Sequence, residues 1–140
     1  MKTMKLVLIA SALMIFACSA CGSTANPTSI TSAGLFLDPE GTQPTDKYDT
    51  LSVFYCLVTL EELQSDTVVQ ASWVAVDTDR AEPNFVIKIE EIRPSITTVL
   101  FQLQNEGHFW PAGTYALYLY LDGKLDRVIE FEVIHDYFSG

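Results

Sequence analysis

From Gly34 onward the apolar residues fall in short runs bounded by turn chemistry, and no long stretch recurs at the 3.6-residue spacing of an amphipathic helix. The runs predict seven strands, near 33–37, 51–59, 67–76, 85–92, 98–104, 114–121 and 127–134. Seven strands at near-regular spacing over about 105 residues argue for an all-β sandwich. The stretch 61–66, EELQSD, is long enough only for a helical turn.

Alternation assigns faces. Val99, Phe101 and Leu103 alternate with Gln102 and Gln104, and Ile129, Phe131 and Val133 alternate with Glu130 and Glu132. The odd-numbered residues of both strands therefore point inward. Phe85, Ile87 and Ile89 are expected to face in as well, with Lys88 and Glu90 outward. In 114–121, Tyr115, Leu117, Leu119 and Leu121 share the core face, which leaves Ala116, Tyr118 and Tyr120 outside.

The last two strands constrain each other. A plain two-residue turn at Asp122-Gly123 pairs Leu117 with Val128, setting an inward residue against an outward one. Pairing Leu117 with Ile129 keeps both faces consistent and requires an odd-length loop or a bulge around 122–124.

The first third of the chain differs in composition, so residues 33–140 form one domain behind a processing segment. Lys2 and Lys5 precede the apolar run 6–17, LVLIASALMIFA. Twelve residues fall short of the about twenty that cross a bilayer as a helix, so 1–17 reads as an export signal. Ile15-Phe16-Ala17-Cys18 resembles the lipobox of bacterial lipoproteins, with Phe16 in a slot that usually holds a small residue. The resemblance implies cleavage before Cys18, acylation of that cysteine and attachment to a membrane leaflet. Cys21, after Ser19-Ala20, is the alternative lipid site, and a soluble exported protein is the plain alternative to both. Ser19 resembles the outer-membrane sorting choice. Each buried acyl methylene adds about 0.8 kcal/mol, so two or more chains hold firmly.

Residues 18–32 are rich in Ser, Thr, Ala, Gly and Pro and read as a tether. Loss of Lys2 and Lys5 with the signal leaves 6 basic against 18 acidic residues, a net charge of about −12. Such a domain is repelled by phosphates, which disfavours nucleic acid and polybasic docking to membranes. Cys56 is expected to be a small buried apolar residue rather than a disulfide partner for Cys21.

Trp73, the segment WPAGTY at 110–115, YLYLDG at 118–123 and the late FEV at 131–133 resemble the immunoglobulin-like or fibronectin-type-III-like domains of small bacterial surface lipoproteins. The resemblance implies a central Trp73 and a Tyr115 that hydrogen-bonds across a corner at the start of the sixth strand. It also implies a sandwich core that includes Leu117, Phe101 and Phe131. The paired cysteines of antibody domains are absent, and Leu117 stands two residues after the tyrosine.

Nothing in the chain matches a catalytic motif: there is no G-x-S-x-G, HExxH, phosphate loop or CxxC. His108 and His135 read as solvated loop residues. The chain is therefore expected not to be an enzyme and to need no cofactor beyond its covalent lipid. Asp77 and Asp79, like Asp38 and Glu40, place carboxylates at alternate positions, a weak pattern for calcium. With Trp110 and His108 near one end of the sandwich they make a calcium- or glycan-binding envelope module the alternative reading. The stronger lead is the outer face of the third, sixth and seventh predicted strands, where Val74, Val76, Tyr118, Tyr120, Val128 and Ile134 gather. Tyrosine-rich apolar faces suit recognition, since tyrosine offers large contact area at small entropic cost. The sequence thus predicts an envelope lipoprotein at the outer membrane that contacts an unidentified envelope protein or a second copy of itself.

Overall fold

The computed structural model describes residues 26–135. The export signal, Cys18 and Cys21 lie outside the described residues. Eight strands run in order β1 (Ser29–Phe36), β2 (Lys47–Asp49), β3 (Phe54–Glu61), β4 (Val69–Thr78), β5 (Phe85–Ile92), β6 (Thr98–Leu103), β7 (Gly113–Leu121) and β8 (Lys124–Ile134). They form a sandwich of a three-stranded sheet, β1-β3-β6, and a five-stranded sheet, β2-β8-β7-β4-β5.

Four sequence expectations change here. An eighth strand, β2, pairs in parallel with β8 through only three residues, too few to show alternation. The tether expected over 18–32 gives way to β1 at Ser29, and Thr28 and Ile30 are already buried. The Thr28 hydroxyl donates to the Glu62 carbonyl at 3.0 Å and lies 2.8 Å from Thr67 Oγ1, so small polar residues here seal the end of the sandwich. Residues 62–66 form a turn, with Glu62 at φ 56, and no helical turn.

The fourth change concerns β5. Of the inward trio expected there, only Ile87 packs against the core, while Phe85 and Ile89 are 52% and 59% exposed. A bulge opposite Trp73 and Val74 makes Ile87 the extra residue and reverses the phase, so Lys88 pairs with Trp73 and Ile89 with Ser72. Lys88 and Glu90 then lie on the inner side at the sheet edge, joined by a 2.7 Å ion pair. A bulge and an inward charge at an edge strand both discourage pairing with another chain.

The core forms around Phe54, whose ring lies 4.6 Å from Trp110 in a stacked arrangement, 5.0 Å from Phe131 and 6.1 Å from Trp73. Trp73, Phe101, Tyr115, Leu117 and Phe131 are all buried with it. The Tyr115 hydroxyl donates to the Pro111 carbonyl, fixing the corner before β7. The indole N–H of Trp73 has no acceptor among the described residues, which costs about 1–3 kcal/mol for a buried donor, so packing retains this side chain.

The β7–β8 hairpin reconciles a tight turn with the required register. Asp122 and Gly123 both have positive φ, 49° and 81°, as a two-residue turn with matching twist demands. Leu121 pairs with Lys124 and Tyr120 with Leu125, but Leu119 pairs with Arg127, so Asp126 is an extra residue. That bulge brings Leu117 opposite Ile129. It falls two residues beyond the expected 122–124, because Asp122 is already committed: its backbone N–H and carboxylate bond Val68 at 2.9 and 2.8 Å.

Candidate recognition surface

The register of β5, β4, β7 and β8 builds the outer face of the larger sheet row by row. One row reads Val86, Val74, Ala116 and Glu130 across the four strands. The next reads Ile89, Ser72, Tyr118 and Val128, and a third reads Glu91, Gln70, Tyr120 and Leu125. Val74, Ala116 and Ser72 are buried at 6%, 2% and 8% exposure although they lie on the side away from the core. Small side chains in the middle of the face are thus sunk between larger neighbours. Tyr118 and Tyr120 are half-buried beside them, and Val86, Ile89, Leu125 and Val128 are exposed around the margin. The arrangement is a floor of Val74, Ala116 and the small Ser72 with tyrosines on it, less polar than the outer face that alternation usually leaves in water.

Two of the residues expected here stand apart. Val76 falls at a bulge between Ala75 and Asp77, which removes it from the ladder with β7, and it is half-buried. Ile134 is exposed at the far end of β8, beyond Glu130 and Glu132, where it pairs with Asp49. Sequence reasoning missed Val86, Ile89 and Leu125. The bulges in β5 and β8 set their orientation, and a bulge leaves no periodic signal.

Charge on the face is one-sided. In the three rows the ionised side chains are Glu91 and Glu130. Lys88 pairs with Trp73 on the other side, and Arg127 reaches through to donate from Nη2 to the Ile30 carbonyl at 2.9 Å.

The acidic loops meet other partners. Asp38 accepts from the Thr42 hydroxyl at 2.7 Å and from the Thr42 and Gln43 amides at 3.0 and 2.9 Å. These bonds, led by the Thr42 hydroxyl, hold its pKa below the usual carboxylate value, and they turn its oxygens toward its own loop. Asp77 is exposed on β4. Asp79 lies beside His135, with Oδ2 3.9 Å from Nε2, in an end cleft of about 360 Å³ lined also by Thr50, Arg80, Phe109 and Trp110. Trp110 is held there by its indole N–H, which donates to the Ser52 carbonyl at 2.7 Å. His108 lines a second groove of about 490 Å³, which shares Phe109, Trp110 and Pro111 with the cleft. Among the described residues no three His, Cys, Asp or Glu side chains cluster to hold a metal ion.

Cys56 is a buried free thiol on the inner face of β3, and burial pushes its pKa up to about 12. It stays protonated at neutral pH and is no nucleophile.

No protein-family model and no curated relative matches the sequence. Among solved structures the chain is similar to an immunoglobulin-like protein from Pseudomonas aeruginosa, with a TM-score of 0.57 and 16% identity over 80% of this chain and 100% of that one. A β-glucosidase from Listeria innocua in complex with glucose aligns with a TM-score of 0.48 and 16% identity, over 79% of this chain and 16% of the enzyme. An alkylpurine DNA glycosylase from Pseudomonas fluorescens, bound to DNA containing an abasic site analog, aligns at 0.46 and 14%, over 76% of this chain and 30% of that one. The chain thus corresponds to a minor part of each enzyme. With its two packed sheets and its tyrosine corner, the described chain has an immunoglobulin-like all-β sandwich fold.

Proposed function

We propose that this protein is a lipid-anchored, non-enzymatic accessory domain of a bacterial envelope, working by protein–protein contact through the outer face of its five-stranded sheet. The observation that carries the reading is the burial of Val74, Ala116 and Ser72 on that outer face, with Tyr118 and Tyr120 beside them. A face this rich in aliphatic and tyrosine side chains over several adjacent strands suits docking better than solvation. The anchor rests on Ile15-Phe16-Ala17-Cys18, with Cys21 as the alternative acylation site and Ser19 favouring the outer membrane.

The test is site-specific photocrosslinking of the full-length protein in its native cells, with a benzoylphenylalanine probe at Tyr118 and a control at Leu100. Leu100 is exposed on the opposite sheet. A discrete adduct from position 118 alone supports the reading, and equal labelling from both positions or none from either refutes it. Metabolic labelling with palmitate, lost in Cys18→Ser, tests the anchor separately.

A second reading, a glycan-binding module, draws on the end cleft, where the exposed ring of Phe109 stands with Asp79 and Arg80. It predicts that Phe109→Ala abolishes retention on an envelope-polysaccharide column. The calcium form predicts a melting temperature that rises with millimolar calcium and no longer does so in Asp79→Ala.

A further inference from the structure

We infer that the partner of this sheet face is a protein surface with an apolar centre and a rim of lysine or arginine, and not a second copy of this chain. The inference rests on the proposed docking face and adds the chemistry of what covers it.

Two features of the face define the occupant. Its floor is Val74, Ala116 and Ser72, with Tyr118, Tyr120, Val86, Ile89, Leu125 and Val128 around it. Three rows about 7 Å apart across four strands about 4.8 Å apart cover roughly 400 Å² with their side chains. That is the size of an interface centre, and a standard interface of about 800 Å² per partner needs a surrounding rim. The rim is the second feature. Glu91 closes the third row on β5 and Glu130 closes the first on β8, at diagonally opposite corners. Glu132 follows on β8, with Lys47 opposite it on β2.

Covering this face with a second copy brings together two rims with an acidic excess, Glu91, Glu130 and Glu132 against Lys47, on two strongly acidic chains, since each chain carries a formal charge of −10. Like charges in apposition are unfavourable and suppress that pairing. An anionic lipid surface is repelled for the same reason. A cationic rim meets Glu91 and Glu130 while its apolar centre covers the tyrosines, which leaves no buried charge unpaired.

The experiment is the same crosslinking in intact cells, from Tyr118 of the full-length protein, comparing the native rim with Glu91→Lys/Glu130→Lys and with Glu91→Gln/Glu130→Gln. Both pairs are surface changes at exposed positions, and thermal melting of each purified protein confirms that it folds. The expected result is an adduct with a different polypeptide whose crosslinked peptide is flanked by lysine or arginine. Its yield falls at least about tenfold in the lysine pair and by less in the glutamine pair. An adduct of unchanged yield in the lysine pair, or one made of two copies of this chain, overturns the inference and leaves the docking face standing. Absence of any adduct with the native rim removes both.

Discussion

The hydroxyl of Tyr48 donates to the carbonyl oxygen of Phe36 at 2.8 Å, across the gap between the two sheets. Tyr48 is 1% exposed, and its ring lies 4.7 Å from Phe54 and 5.5 Å from Phe131. One side chain thereby fastens a three-residue strand to the core and satisfies a carbonyl at the end of β1. Tyr48→Phe keeps the packing and removes this bond and the 3.3 Å contact of the hydroxyl with the Tyr55 carbonyl, so it is expected to cost about 1–2 kcal/mol. Tyr48→Ala also opens a cavity and is expected to cost about 3–5 kcal/mol. Urea unfolding of the two variants measures both, and a Tyr48→Phe protein as stable as the parent shows that the bond contributes nothing.

Tyr115 makes stability fall at alkaline pH. Burial, with the Asp79 carboxylate adding to it, pushes its pKa up to about 12, against about 10 for an unfolded tyrosine. A group raised in the folded state contributes fully below the unfolded value and loses that contribution as pH climbs through the folded one. Melting temperatures are therefore expected to be flat with respect to this group up to about pH 10 and to decline toward pH 12. Tyr48, raised in the same direction by burial, contributes to the same decline. Tyr115→Phe should lessen the slope over that window while lowering stability at neutral pH, because it loses the bond to Pro111.

Asp38 acts at the other end of the pH scale. Its lowered pKa means that the loop contribution is present above about pH 4 and is lost as pH falls through the folded value. The amide resonances of Thr42 and Gln43, which donate to its carboxylate, should titrate together with a midpoint below about 3.9. A midpoint at or above that value refutes the assignment. In Asp38→Ala the same resonances should not titrate in this range.

Gly113 opens β7 with φ at 146°, and a Cβ there would stand 2.2 Å from the Asp77 carbonyl oxygen. Gly113→Ala is expected to destabilise by more than about 2 kcal/mol, combining backbone strain with a clash against a paired strand. Gly123→Ala also meets a positive φ, 81°, but no neighbour lies within 4 Å. It should cost only about 1 kcal/mol. Thermal unfolding of the pair separates the two effects, and equal losses contradict the steric account.

Much of the frame is legible in the amino-acid order. Val99, Phe101 and Leu103 alternate with polar residues on one well-covered strand, and their burial follows. The pairing of Leu117 with Ile129 follows from the incompatibility of two alternations with a simple turn. Tyr118 and Tyr120 are placed outside by the same logic. Less legible were β1 before Ala33, β2, and the face of β5. Each owes its state to a neighbour: Thr28 to Glu62 and Thr67, Tyr48 to Phe36, Lys88 to the bulge opposite Trp73.

By itself, then, the sequence determined an all-β sandwich, its best-covered strands and the last hairpin's register. Alternation records which side of a strand meets apolar matter, and that record is local. Only the tertiary structure decided that Val74, Ala116 and Ser72 are sunk within an outer face and that Val86, Ile89 and Leu125 join it. It alone brought Asp79 to His135. Those relationships depend on bulges and on strands far apart in the chain, and a bulge shifts phase by one residue without leaving a periodic trace.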